Sequence, residues 1–219
     1  METQLTEIIM ILDESGSMGS MKNDTIGGFN EFIDNQKKIA GKVNFTFIKF
    51  SDYYKIIEDC TNLFNVSHLN ESTYTPSAST ALLDAVGKTI NTVKERLIKT
   101  PVENKPDKVI MVILTDGQEN SSKEFTKSGM VAEMVKEMKE KEGWEFIFLG
   151  ADVAAWDGGH SMGINTANSN PKDLSRGFKG LSNYTASYRT DTTAYMAMNN
   201  FNLTEEELDK QMIELQNKK

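Results

Sequence analysis

Asp13, Ser15 and Ser17 follow one another at two-residue steps in Asp13-Glu14-Ser15-Gly16-Ser17-Met18, directly after an apolar run from Ile8 to Leu12. An acid and two hydroxyls spaced this way on a tight loop put three oxygens within reach of one ion. Oxygen ligands without Cys or His suit a hard cation: Mg2+, Mn2+ or Ca2+. Two further oxygen-bearing residues occupy comparable places. Thr80 opens a helical pattern in Pro76-Ser77-Ala78-Ser79-Thr80-Ala81-Leu82, and Asp116 follows a second apolar run in Leu114-Thr115-Asp116-Gly117. Each also has an ordinary structural reading. Ser15, Ser17 and Thr80 are residue types that cap helices or form turns, and Asp-Gly is a common turn pair. Glu14 and Glu119 flank these segments and read as solvated acids, Glu119 with a secondary reading as an outer partner of the ligands. Gly16, Gly19 and Gly117 read as the residues that let the loops turn tightly.

The elements that must hold these loops are legible as an alternation. Ile8–Leu12, Val109–Leu114 and Trp144–Leu149 are continuous apolar runs, as expected of strands covered on both faces. Val43–Phe50 alternates, turns at Ser51-Asp52, and returns as Tyr53–Cys60, which predicts a hairpin. Helices are predicted over Met21–Ala40 and Ala81–Ile98 from apolar residues near 3.6-residue spacing, Lys123–Lys141 reads as another, and Pro171–Arg189 completes the alternation. Val153–Met162 and a short strand near Ile164 fill the remaining interval, and Asp157-Gly158-Gly159-His160 reads as a turn. The expected fold is a Rossmann-like three-layer α/β/α sandwich, with a mostly parallel central sheet and one antiparallel edge strand. Such sheets bind ligands at the carboxyl ends of their strands, where Asp13 and Asp116 fall. Residues 1–190 are expected to form this domain and 191–219 a C-terminal extension. In the extension Thr204-Glu205-Glu206-Glu207 is a capping box opening a helix with Leu208, Met212 and Leu215 on its apolar face.

Bulk properties exclude several classes. The chain has 219 residues and a net charge of -8, with basic residues scattered among acidic ones, so nucleic acid is not an expected partner. Its longest apolar runs fall far short of the ~20 residues that span a bilayer. Cys60 is the one cysteine, and Met1-Glu2-Thr3-Gln4 lacks the basic start of a signal peptide, so a cytoplasmic location is expected. Nothing demands more than a monomer.

Rival motifs fail at identifiable residues. Gly87-Lys88-Thr89 resembles the end of a phosphate-binding loop, but Leu82 stands where the earlier Gly belongs. Ser15-Gly16-Ser17-Met18-Gly19 begins with Ser where a hydrolase elbow needs Gly. A phosphatase with paired acids after its first strand would need a second Asp at Ser15. His68 and His160 read as ordinary loop residues, and Met130, Met134 and Met138 as core.

Taken together, Asp13-x-Ser15-x-Ser17, Thr80 and Asp116 resemble the von Willebrand factor A domain family and its metal-ion-dependent adhesion site, over about residues 5–190. The resemblance implies direct metal contact by Ser15 and Ser17, with Thr80 joining in one state and Asp13 and Asp116 acting mostly through water. It implies Mg2+ or Mn2+ ahead of Ca2+, and a protein partner presenting Asp or Glu to complete the shell. It also implies a switch in which the helix over Pro171–Arg189 moves with the metal. The unsecreted form is similar to stand-alone bacterial and phage A-domain proteins. Two alternatives stay open: a metal-dependent hydrolase or phosphatase on the same scaffold, and a structural subunit with a vestigial site.

Overall fold

The computed structural model describes residues 4–116, 119–150, 153–168, 174–190 and 203–217. Its elements run β1 (Leu5–Asp13), a 3-10 turn (Gly16–Met21), α1 (Lys22–Lys38), β2 (Lys42–Phe50), β3 (Tyr54–Asn62) and α2 (Leu82–Lys99). They continue through β4 (Lys108–Thr115), α3 (Ser128–Glu142), β5 (Glu145–Gly150), α4 (Val153–Ser161), β6 (Asn165–Asn168), α5 (Leu174–Arg189) and α6 (Glu205–Gln216). The six strands form one sheet in the order β3-β2-β1-β4-β5-β6. Every pairing is parallel except β2 with β3.

The apolar strands are double-faced because the sheet is covered twice. Along β1, Ile8, Met10 and Leu12 pack with Phe29 and Phe32 of α1 and Phe178 and Leu181 of α5. Ile9 and Ile11 point the other way, toward Val86 and Ile90 of α2 and Val131 and Val135 of α3. β1 lies between β2 and β4, so the chain leaves it in one direction and later returns on its other side. That reversal opens a crevice at the carboxyl ends of β1 and β4, where such sheets receive ligands.

Close helix packing fixes the layer of α1 and α5. A Cβ added at Gly28 would lie 2.0 Å from the buried ring of Phe178. Gly28→Ala is therefore expected to lower stability by about 1–3 kcal/mol, the usual range for overpacking a core. Urea denaturation checks this, and an unchanged midpoint would mean that α5 shifts freely on α1. At the far end of α1, Arg189 of α5 donates to the carbonyls of Gln36 (2.7 Å), Ile39 (3.1 Å) and Ala40 (3.3 Å) and to Gln36 Oε1 (3.0 Å). A cation from one helix thus closes the carbonyl end of another. α6 opens with the capping box at Thr204 and Glu207. It packs Met212 and Leu215 against Ile39 and Ala186, while Asn183 of α5 donates to the Leu208 carbonyl at 2.7 Å. Among the described residues no helix is long and apolar enough to cross a membrane.

The structure differs from the sequence reading in three places. α3 begins at Ser128 instead of Lys123, because the N–H groups of Lys123, Glu124 and Phe125 turn back to the Asp84 carboxylate at 2.8–3.1 Å. Asp157-Gly158-Gly159-His160 lies inside α4, where Gly158 faces Leu82, and is not a turn. Met130 is exposed, so only the later part of the methionine stripe, Met134 and Met138, reaches the core. Residues 171–173, the expected start of the helix that becomes α5, and Gly117 lie outside the described residues.

Candidate metal centre

The pairing of Leu12 with Leu114 brings the ends of β1 and β4 side by side. Asp13 is fully buried there. Its Oδ1 accepts the Ser15 N–H at 2.7 Å and its Oδ2 accepts the Thr115 hydroxyl at 2.5 Å. Burial raises its pKa to about 6 despite these lowering bonds, and the nearby Asp116 charge adds to the rise. A divalent cation would favour the ionised form.

After Asp13 the chain enters the 3-10 turn. Ser15 is buried, Ser17 is exposed, and their hydroxyl oxygens lie 3.2 Å apart. Ser17 donates to Asp116 Oδ1 at 2.7 Å. Ser15 begins the 3-10 turn without a side-chain cap bond, so its hydroxyl is not used as a cap. Thr80 is 3% exposed, and the N-cap of α2 is Ala81, so Thr80 is not the cap of its helix either. Glu119 supplies the acceptor for the start of α2, taking the Leu83 N–H at 2.8 Å.

The loops are latched to one another by backbone. Gly16 N–H donates to the Ala78 carbonyl at 3.0 Å and Ser77 N–H to the Glu14 carbonyl at 2.8 Å. Gly16 earns its place through this approach, since a Cβ would meet the Ala78 oxygen at 3.4 Å, and its φ is not positive. Gly19 has open space around it and an ordinary φ, so tight turning does not require it. Tyr74, fully buried, donates its hydroxyl to the Asp13 carbonyl at 2.7 Å.

Asp13, Ser15, Ser17 and Asp116 are thus joined by direct hydrogen bonds, and Thr80 is tied to Asn120, four residues past Asp116. The fit to a small hard cation is chemical as well as spatial. Two cis oxygens on an octahedral ion lie about 2.9 Å apart for Mg2+ and about 3.4 Å for Ca2+, given bond lengths of roughly 2.05 and 2.4 Å. The Ser15–Ser17 separation of 3.2 Å lies between these values. Among the described residues there is no cluster of three or more His, Cys, Asp or Glu that could hold a metal ion.

Residues 7–189 match the von Willebrand factor type A domain. The chain belongs to this family. No curated protein matches it, but solved A domains share its fold. The von Willebrand domain of the type V pilus tip protein Mfa5 from Porphyromonas gingivalis superposes with a TM-score of 0.59 at 10% identity, covering 83% of this chain and 95% of that one. The pilus adhesin SpaC from Lactobacillus rhamnosus GG gives 0.58 at 13% identity, covering 83% and 30%. Proximal thread matrix protein 1 of the mussel byssus gives 0.54 at 16% identity, covering 82% and 45%, so this chain spans under half of that protein's length. The mussel protein has also been solved with zinc in its MIDAS motif.

Sequence reasoning passed over several residues that hold this A domain's site together. Glu14 is not solvated: it is 1% exposed and accepts from Lys49 at 2.9 Å, from the Thr75 N–H at 2.6 Å and from the Tyr53 hydroxyl. These donors hold its pKa below the usual carboxylate range in spite of burial. Glu119 is likewise engaged, by Leu83, Ser121 and Ser122. Asn120 was not singled out at all, yet its Oδ1 accepts the Thr80 N–H at 2.9 Å and its own N–H donates to the Thr80 carbonyl at 3.0 Å. Its place four residues past Asp116 was the available signal. Asn120→Ala should weaken Mg2+ binding by about 10-fold or more, as removal of orienting partners does at metal sites. Its cost in stability should be about 1 kcal/mol. Calorimetric titration with MgCl2 reads the first effect and urea denaturation the second.

Proposed function

We propose that this A domain binds a divalent cation through Asp13, Ser15, Ser17, Thr80 and Asp116 and uses it to grip an Asp or Glu of a partner protein. The observation that carries this reading is the contact of the Ser15 and Ser17 hydroxyls at 3.2 Å, with Ser17 also tied to Asp116 at 2.7 Å. Neutral ligands leave a bound cation strongly attractive to an incoming carboxylate. Mg2+ or Mn2+ is the proposed ion, ahead of Ca2+. The reading is of a binding module and not an enzyme. Both oxygens of Asp13 are already committed to Ser15 and Thr115, which leaves it poorly placed as a general base. The domain proper is taken as residues 1–190, acting as a monomer, with 191–219 as its extension.

Affinity capture tests the reading. Wild type and Ser17→Ala are used as baits in native lysate, each with MgCl2 and with chelator. A set of proteins captured only by wild type with Mg2+ supports it. The same captures in all four arms would sink it and favour a vestigial site. Ser17 is exposed, so the variant is expected to fold.

A further inference from the structure

β3 is the outermost strand and has no buried residue, whereas the adjoining β2 is mostly buried. The helices that cover β1 and β2 leave the same face of β3 open. A groove of about 690 Å³ lies there, with the hairpin residues Lys49, Tyr53, Lys55 and Ile57 on one side and the segment carrying Leu69 and Thr73 on the other. Glu14, the residue after Asp13, lines it as well. Its carboxylate holds Tyr53, Lys49 and the Thr75 N–H, so the same side chain joins the hairpin, the far wall and the metal loop. Glu14 thus ties the groove wall to the loop that carries Asp13, Ser15 and Ser17.

The groove's chemistry is uneven. Lys49 is neutralised by Glu14 and also donates to the Thr73 carbonyl at 2.7 Å. Lys55 is exposed and has no carboxylate partner among the described residues. Ile57 and Tyr53 flank it at two-residue steps and remain 37% and 40% exposed. The Lys55 ammonium thus stands between the Tyr53 ring and Ile57, while Glu58, which also lines the groove, accepts from the Thr61 hydroxyl at 2.8 Å. We propose that the groove seats the stretch of partner chain adjoining the metal-bound carboxylate: an extended segment with an apolar side chain for Ile57 and Tyr53 and a second carboxylate for Lys55. This inference rests on the metal-dependent reading above and names the partner's chemistry.

The experiment is selection of short random peptides against wild type, Lys55→Glu, Ile57→Asp and Ser17→Ala, each with MgCl2 and with chelator. Melting curves verify that the variants fold, which exposed positions favour. The expected result is a Mg2+-dependent consensus holding one invariant acid and, at fixed separation, an apolar residue next to a second acid. Lys55→Glu should convert the second acid to a basic residue and weaken the wild-type consensus peptide roughly tenfold. Ile57→Asp should remove the apolar preference, and Ser17→Ala should abolish selection. A Mg2+-dependent consensus of the single acid alone, identical for wild type and Lys55→Glu, overturns the groove while leaving the metal reading intact. Selection of any consensus that persists in chelator, or of none at all, overturns both.

Discussion

Without metal, wild-type protein should lose stability as pH rises through about 6, and Asp13→Asn should not. Asp13 has an ordinary pKa of 3.8 and is raised to about 6 by burial in the fold. The folded state therefore holds this proton more tightly than the unfolded chain does. Its stabilising contribution is fully present below the unfolded value and is lost as pH climbs through the folded one. A shift of about two pH units corresponds to ~3 kcal/mol. Asn mimics the protonated acid: it retains an acceptor for the Ser15 N–H and gains a donor toward Thr115. At neutral pH the metal-free variant should be the more stable protein by an amount on that order. MgCl2 should stabilise wild type and leave the variant unmoved. Urea midpoints across pH, with chelator and with MgCl2, check this. Parallel curves for the two proteins would show that Asp13 ionises without strain in the fold. The acid proposed to serve the metal site is then a liability to the metal-free domain.

Arg189→Met is expected to lower stability by about 3–5 kcal/mol, since several buried carbonyls each lose a partner at a cost of about 1–3 kcal/mol. Two effects compete. Burial draws the Arg189 pKa down from 12.5 to about 10, equivalent to a desolvation penalty of ~3 kcal/mol. Against it stand four bonds from a charged donor, worth ~1.5–3 kcal/mol each. The bonds win, and Met leaves the carbonyls of Gln36, Ile39 and Ala40 without this donor. Arg189→Lys keeps the charge but lacks the planar fork, so it should recover only part of the loss. Chemical denaturation of both variants gives the comparison. A Met variant with the wild-type midpoint would mean that water replaces the guanidinium freely.

The architecture was legible because burial and periodicity agree. Ile8–Leu12 and Val109–Leu114 could only be strands covered on both sides, and the alternating Val43–Phe50 led straight to the hairpin. The candidate site's oxygen-bearing residues stood out through their types taken together with their order along the chain, since each alone also fits a cap or a turn. What eluded the sequence depends on partners brought from a distance. Glu14 looks like any charged loop residue until Lys49 and Tyr53, both more than thirty positions away, close over it. The start of α3 was misplaced because Asp84 captures the backbone that would have begun it, a competition between side chain and helix that no local pattern records. The two glycines of Asp157–His160 suggested a turn, but contacts with neighbouring elements outweighed their low helix propensity.

The central place of β1 in the sheet bears on how the protein is made. β1 leaves the ribosome well before β4, its partner on one flank, which begins at Lys108 after the hairpin and α2 have been synthesised. Until then Ile8–Leu12 has β2 on one side and an open, wholly apolar edge on the other. Such an edge is a template for pairing with another nascent chain. Slow translation across α2 would prolong that interval, and a holdase that masks the edge of β1 would raise the yield of folded protein more than one acting after β4 has docked.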